Sequence, residues 1–125
     1  MKDADIRQCL VLGRGKIAPQ DAWNQHVEAR ASDGTTVNCT NPRAVKFCAL
    51  GAVRRAATEI KDRGPDCELL YKAATDALAD QLATRVGYSD EDILRFNDKP
   101  GTRQADVLEI FDDAIEAIDK GQRYA

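Results

Sequence analysis

One apolar stretch, Ala44-Val45-Lys46-Phe47-Cys48-Ala49-Leu50-Gly51-Ala52-Val53, decides the fold of this chain. Lys46 is its single charged residue, and a helix that is apolar nearly all round is a buried, central one. Asn41 is a good N-cap and Pro42 suits the first helical position, so the pattern predicts that this helix begins at Pro42. Gly51 lies in its middle, and we interpret it as the point where a neighbouring helix approaches closely.

Four other segments have the apolar spacing of helices. They cover about residues 3–12, 66–86, 89–96 and 102–120. Gly13 is the stop signal of the first segment, and Ser89 is an N-cap at the start of the third. We therefore predict a mainly all-α fold, an irregular bundle of four to five helices that forms a single helical domain over residues 1–125.

The segment 14–41 is the least regular part of the chain. Small and branched residues alternate with polar ones over 27–31, and the turn signal Asp33-Gly34 is followed by Thr35-Thr36-Val37. This pattern is typical of a short β-hairpin. It is equally consistent with one long ordered loop that Trp23, the only tryptophan, attaches to the helices.

Composition and charge argue against several classes of protein. The 125 residues are 43% hydrophobic and 31% charged, which is globular composition. No run of ~18 apolar residues is present to cross a membrane, and two acids in the first five residues argue against secretion and for the cytoplasm. Residues 63–125 contain 14 acidic and 8 basic residues, which argues against nucleic-acid binding because that needs a cationic surface.

The four cysteines, at positions 9, 39, 48 and 67, show no Cys-x-x-Cys spacing. We expect all four to be reduced thiols, and Cys48 to lie mid-helix in apolar surroundings that make it inert. His26 is the only histidine. The cysteines and the histidine are the residue types of a zinc site, but their spacings match no known zinc-binding pattern. We therefore expect neither a metal nor a cofactor.

Three pieces of the chain carry a family resemblance. They are residues 44–52, the step Phe96-Asn97-Asp98 and the closing helix at 105–115. The chain resembles a family of small uncharacterised proteins of bacteria and their phages, catalogued as a domain of unknown function. Its members have an Ala-Val-x-(Trp/Phe)-Cys-x-x-Gly-Ala helix and an aromatic-Asn-Asp step, and many carry tryptophan where this chain has phenylalanine. The resemblance covers about residues 23–118 and implies a fold type and a microbial or phage origin, but no activity.

Asn97 and Asp98 are the best polar constellation in the chain, and we take them as candidate ligand-binding residues. The alternative is turn chemistry ahead of Pro100-Gly101, because Asn tolerates positive φ and Asp bonds neighbouring N–H groups. Trp23 is a candidate binding anchor, since tryptophan is enriched at the energetic centres of interfaces. It is also a candidate plug that holds the long loop to the bundle.

A catalytic interpretation combines Cys48, His26 and Asp98. They would serve as nucleophile, base and orienting group, which are the parts that nucleophilic catalysis needs. No spacing in the sequence brings His26 to Cys48. The sequence therefore favours a buried core thiol over a nucleophile.

Acidic residues recur every three or four positions along the last helix and share one face, which we call the acidic stripe. The acids of the stripe that we take as candidate binding residues are Glu109, Asp112, Asp113 and Glu116. A solvated face is one interpretation, and an interaction surface for a basic partner is the other. Basic residues cluster at 54–63. A homodimer in which the acidic stripe of one subunit meets the basic cluster of the other is therefore a further interpretation.

These observations favour a non-enzymatic protein-binding module of phage or bacterial origin, for example an inhibitor that acts on a host protein through the acidic stripe. The alternative is a small enzyme, or a protein that binds a small molecule or metal, using Asn97 and Asp98 with Cys48 or His26. We expect an unknown protein partner, no nucleic acid, no membrane and a cytoplasmic location.

Overall fold

The computed structural model describes residues 2–85 and 93–121. Within them the elements are α1 (Asp3–Ile17), β1 (Ala29–Arg30), β2 (Lys46–Phe47), α2 (Ala49–Lys61), α3 (Pro65–Ala83), α4 (Ile93–Asp98) and α5 (Gln104–Asp119). Most of the described chain is helical and its strands are two residues long. The predicted mainly all-α, irregular bundle is therefore confirmed.

The core forms where α1, α2, α3 and α5 pack together. Helix α2 is central, because it contacts α1, α3 and α4, and its buried face consists mainly of alanine. Around it lie Leu10 of α1, Leu78 of α3 and Phe111 of α5, each with no exposed surface. Burial of such a side chain stabilises a fold by about 1.5–3 kcal/mol. The expectation of a central helix is confirmed for residues 49–61.

The start of α2 differs from the prediction. The helix begins at Ala49 and not at Pro42, and Cys48, expected mid-helix, is its N-cap. Residues 44–47 instead continue a strand-like segment, because Phe47 N–H donates to the Ala22 carbonyl and Val45 N–H to the Arg30 carbonyl. Branched and aromatic residues suit a half-buried strand, so this non-local pairing overrides the local helix signal.

Gly13 does not end α1, which continues to Ile17. A Cβ at Gly13 would lie 3.3 Å from Cε1 of Phe111 and 3.5 Å from Cα of Val53. The glycine therefore serves close packing against α5 and α2. Ile17 is completely buried, and this burial outweighs the cost of about 1 kcal/mol for a glycine inside a helix.

The predicted hairpin within 14–41 is present only in part. Ala31 N–H donates to the Thr35 carbonyl and Gly34 N–H to the Ala31 carbonyl, so the chain turns at Asp33-Gly34 as expected. The antiparallel sheet, however, pairs β1 with β2, in the register Ala29 to Phe47. Strand β2 lies outside 14–41, so the long segment returns to the beginning of α2.

Two other helix starts agree with the local signals, whereas α4 continues to Asp98, two residues beyond its predicted end. Helix α3 begins at Pro65 and α5 at Gln104, one or two residues from the predicted starts. The N-cap predicted at Ser89 lies outside the described residues. No helix in the part of the chain that the structure describes has both the length and the hydropathy to cross a membrane.

Candidate functional site

The side chain of Asn97, in the last turn of α4, lies at the centre of a buried hydrogen-bond network. Its Oδ1 accepts bonds from Trp23 Nε1 at 2.7 Å and from the backbone N–H of Ala49 at 2.9 Å. Its Nδ2 donates to the Asn24 carbonyl at 3.1 Å and to Asp98 Oδ1 at 3.0 Å. Asn97 has no exposed surface. An amide offers two donors and two acceptor positions, so every one of them is occupied within the chain.

Two side chains cap the N-terminus of α2. Asn97 accepts from Ala49 N–H, and the sulfur of Cys48 accepts from Gly51 N–H at 3.3 Å. The first N–H groups of a helix have no partner inside the helix, and a buried helix end needs such substitutes. The aromatic-Asn-Asp step thus connects α4 to α2 and positions both relative to the loop.

The loop at 22–28 completes this network. Gln25 Nε2 donates to the Asn97 carbonyl at 2.9 Å, and His26 N–H donates to Asp98 Oδ1 at 2.8 Å. His26 has a φ of 77°, an uncommon conformation for a residue with a Cβ. We call Trp23, Asn24, Gln25, His26, Cys48, Ala49, Asn97 and Asp98 the Asn97 cluster.

Gly51 is where the loop backbone meets α2. A Cβ at this position would lie 2.1 Å from the Glu28 carbonyl oxygen, which also accepts from Cys48 N–H at 3.2 Å. The close neighbour predicted for Gly51 is therefore a loop carbonyl and not a helix. Two of the three pieces that carry the family resemblance, residues 44–52 and the Phe96-Asn97-Asp98 step, therefore meet here and form one structural unit with Trp23.

The Asn97 cluster contains all three residues of the catalytic interpretation. The contact between His26 and Asp98 runs through the His26 backbone, and the imidazole itself is on an exposed residue. Cys48 is only 2% exposed. Burial raises the pKa of its thiol, and the N–H groups of Gly51 and Leu50 lower it by less. A protonated, buried thiol is a poor nucleophile.

The other cysteines have the same character. All four are free and buried, and burial raises the pKa of Cys9 and of Cys39 to about 12. Burial also raises the pKa of Cys67. Among the described residues, no three His, Cys, Asp or Glu side chains converge as metal ligands do.

The acidic stripe is paired with cations of the same chain. Arg14 of α1 bonds Asp112 at 2.5 Å, and Arg85 bonds Asp113 at 2.6 Å. Arg85 also lies 3.4 Å from Glu109, and Lys120 lies 2.5 Å from Glu116. The carboxylates are still about half exposed. The stripe is therefore an exposed set of ion pairs and not a uniformly negative face.

A sequence signal for this pairing exists in retrospect. Arg7 bonds Asp119 at 2.6 Å, and this pair, like the Arg14–Asp112 pair, joins α1 to α5. The two arginines are seven residues apart on α1, and so are the two aspartates on α5. Matching seven-residue spacings place charges on one side of each helix, but only the packing of α1 on α5 shows that they meet.

The basic cluster at 54–63 also divides in the structure. Arg54 pairs with Glu68 at 2.6 Å, Arg55 with Glu59 at 3.1 Å and Lys61 with Asp5 at 3.7 Å. Arg55 also donates to the carbonyls of Cys39 and Asn41. Three of the four cations of the basic cluster are thus neutralised by acids of the same chain, which leaves little free positive charge for the acids of a partner.

An apolar groove between α2, α3 and α4 was not foreseen from the sequence. We call it the Leu94 groove; it has a volume of about 300 Å³ and is lined by Leu50, Tyr71, Thr75, Asp76, Ala79, Ile93 and Leu94. Leu94 is 45% exposed although it follows the buried Ile93. Apolar spacing alone places Leu94 in the core, so the periodicity contained no signal for this surface.

The comparison with known families decides the relationship. A family of unknown function, DUF6197, matches residues 1–117. The chain belongs to this family. The resemblance to an uncharacterised domain is thus confirmed, and the match extends to the N-terminus beyond the expected 23–118. No curated protein and no solved structure matches the chain.

The structure separates the predicted site residues into two places. Trp23, Asn97 and Asp98 meet in the Asn97 cluster, where their polar atoms bond one another or the backbone. The four acids of the stripe lie on α5, whose packing partners are α1 and α3. Within this member of DUF6197, the first group organises the fold and the second faces solvent.

Proposed function

We propose that this chain is a non-enzymatic protein-binding module that engages its partner through the Leu94 groove. The observation that carries the proposal is the half-exposed Leu94 beside other apolar side chains in an open groove. Five of the seven lining residues are apolar or aromatic. A groove with so few polar groups suits the apolar face of a helix or segment better than a small polar molecule.

The groove has firm walls. Ile93 is 4% exposed and packs in the core. The Arg54 guanidinium stacks 3.9 Å from the centre of the Tyr71 ring, which restrains this aromatic side chain. A pre-formed groove supports tight binding, because little side-chain freedom is lost when the partner arrives.

The charge beside the groove indicates the chemistry of the partner. Asp76 lines the groove and pairs with Lys72 at 2.9 Å on the same helix. Their side chains are 54% and 73% exposed, and such surface pairs contribute about 0–1 kcal/mol. A cation from a partner can therefore replace Lys72 with little loss. The expected occupant is an apolar segment that carries a lysine or arginine next to its anchor.

The acidic stripe is a second surface for the same role. A basic partner would exchange its own cations for Arg14 and Arg85, in the way just described for Lys72. In this version the chain, of bacterial or phage origin, acts in the cytoplasm as an inhibitor that binds a host protein through the acidic stripe. The internal ion pairs give it less support than the groove has.

The test compares two leucines. Leu94→Glu places a charge in the groove. Leu69→Glu is the control, because it places the same charge at a 58% exposed leucine outside the groove. Both proteins should melt near the parent temperature. Partners are captured from lysate of the source organism and quantified by mass spectrometry, and the affinity for the purified partner is then measured. We expect Leu94→Glu to weaken binding by about tenfold or more, as loss of an anchor does, and Leu69→Glu to change it less than twofold.

Two results contradict the groove. A partner held equally by the parent and Leu94→Glu has another site, and loss with Leu69→Glu to the same extent indicates a general charge effect. A third protein, with Asp112→Asn and Asp113→Asn, tests the stripe. Neutral amides are preferable to lysine there, because new lysines beside Arg14 and Arg85 would disturb the packing of α5.

The alternative role, a small enzyme or small-molecule site, rests on the Asn97 cluster. The observation in its favour is the strained backbone of His26 beside Asp98, since strain concentrates at functional sites. His26→Gly relieves that strain and removes the imidazole. Ligand binding that disappears while stability rises would support this role, and a rise in stability alone would favour a purely structural turn.

A further inference from the structure

A polar cleft lies between the loop at 38–40, α2 and the beginning of α3. We call it the Arg63 cleft; it has a volume of about 250 Å³ and is lined by Asn38, Thr40, Arg54, Thr58, Arg63, Gly64, Cys67 and Glu68. Its volume is slightly below the roughly 300–1,000 Å³ of drug-sized ligand sites, so it suits a small group. Neither the Asn97 cluster nor the Leu94 groove includes any of these residues.

The charge of the cleft is positive although the chain is acidic overall. Arg54 and Arg63 contribute two guanidinium groups, and Glu68 contributes one carboxylate. Glu68 engages a single nitrogen of Arg54, Nη1, at 2.6 Å. Arg63 makes no ion pair within residues 2–85 and 93–121; its bond is to the Thr40 hydroxyl at 3.1 Å. One positive charge in the cleft is thus uncompensated.

The donors of the cleft are held in place by their neighbours. The Arg54 guanidinium is fixed between Glu68 and the Tyr71 ring. Asn38 directs its Oδ1 toward Thr40, accepting from the backbone N–H at 3.0 Å and from the hydroxyl at 2.8 Å. The amide nitrogen of Asn38 therefore stays available as a donor. Donors thus reach the cleft from a loop, from α2 and from the segment between α2 and α3.

We propose that the Arg63 cleft binds the phosphate group of a small phosphomonoester. A phosphate presents three oxygens in different directions, so it can accept from Arg54, Arg63 and Asn38 together, whereas a planar carboxylate presents two. Guanidinium groups match phosphate oxygens with paired, charge-assisted hydrogen bonds. The proposal is independent of protein binding at the Leu94 groove, and either can fail without the other.

Glu68 gives the proposal a signature with two opposite signs. Its carboxylate occupies Arg54 and repels an anion in the same cleft. Removal of the Arg63 cation should therefore weaken phosphate binding, and removal of the Glu68 charge should strengthen it. Ordinary attraction of anions to a positive surface would respond to any change of charge on the chain.

The experiment titrates inorganic phosphate into the full chain at constant ionic strength, with calorimetry and amide chemical shifts as readouts. We expect saturation at or below about 1 mM. Arg63→Gln should weaken binding by about tenfold, since one charge-assisted bond is lost, and Glu68→Gln should tighten it by a few-fold. Lys72→Gln removes an exposed cation of α3 that does not line the cleft, and it should leave binding unchanged. Melting curves verify that each protein is folded.

Several results would overturn the proposal. If phosphate binding does not saturate, or if Lys72→Gln and Arg63→Gln weaken it equally, the binding is only general attraction of anions to positive charge. Acetate that binds as tightly as phosphate makes the cleft a carboxylate site. A single-stranded oligonucleotide that binds more tightly than phosphate, with a steep dependence on salt, makes the cleft part of a nucleic-acid surface.

Discussion

Replacement of Asn97 by alanine should be among the most damaging single changes in this protein. It removes a side chain with no exposed surface and four hydrogen bonds. The indole N–H of Trp23, the N–H of Ala49 and the carbonyl of Asn24 then lose their partner. Each buried polar group without a partner costs about 1–3 kcal/mol. Because solvent can reach part of the opened site, we expect a loss of about 3–5 kcal/mol in the free energy of unfolding.

Urea denaturation followed by circular dichroism measures this loss. The fluorescence of Trp23, the only tryptophan, reports independently whether the indole stays in place. Asn38→Ala is the matched control, since it removes an exposed asparagine that bonds only within its own turn, and it should cost less than about 1 kcal/mol.

A double-mutant cycle with Trp23→Phe isolates one bond of the network. Phenylalanine retains most of the ring but lacks the N–H that Asn97 accepts at 2.7 Å. The two changes should be non-additive by about 1 kcal/mol, because each removes the same contact. A loss below about 1 kcal/mol for Asn97→Ala, or strict additivity with Trp23→Phe, would refute the assignment of Asn97 as the organiser of this region.

Three further predictions concern packing, thiol reactivity and charge. Gly51→Ala should destabilise the chain by several kcal/mol in urea denaturation, because the new Cβ would lie 2.1 Å from the Glu28 carbonyl oxygen. Gly15→Ala should instead stabilise it by about 0.5–1 kcal/mol, because the residue is helical and no atom lies within 4 Å of the new Cβ. The buried thiols should react with a chromogenic disulfide reagent at pH 8 only after denaturation, because burial raises their pKa. Arg7→Gln should raise the pKa of Asp119 toward its ordinary value, because the hydrogen bond from Arg7 holds that pKa low; carbon-detected NMR titration measures the change. The stabilisation from this pair is present at neutral pH and is lost as the pH falls through the lowered pKa of Asp119.

Each of these predictions has a contradicting outcome. Equal effects at Gly51 and Gly15 would mean that the loop carbonyl does not lie on α2. Rapid reaction of any thiol in the folded chain would reveal an exposed cysteine. An Asp119 whose pKa is the same with and without Arg7 would mean that the pair between α1 and α5 does not form in solution.

Helix positions followed from the sequence wherever the boundary depended on neighbouring residues. Helix α3 begins at Pro65, which suits a first helical turn, and α5 presents Val107, Phe111 and Ala114 to the core at helical spacing. The start of α2 did not follow, because Phe47 bonds the Ala22 segment, 25 residues earlier in the chain. A local cap signal is worth about 1 kcal/mol, and pairing with a distant segment easily exceeds it.

The sequence by itself therefore determined the helical class and the central position of α2, and it singled out Asn97 and Asp98 as the best polar constellation. Only the tertiary structure decided what Asn97 does, because its partners Trp23 and Ala49 are 74 and 48 positions away. The tertiary structure likewise paired the acidic stripe with Arg14 of α1 and with Arg85, which follows α3, and left Leu94 exposed in a groove. Helical periodicity is a property of neighbouring residues, whereas hydrogen bonding, ion pairing and burial depend on which distant segments pack together.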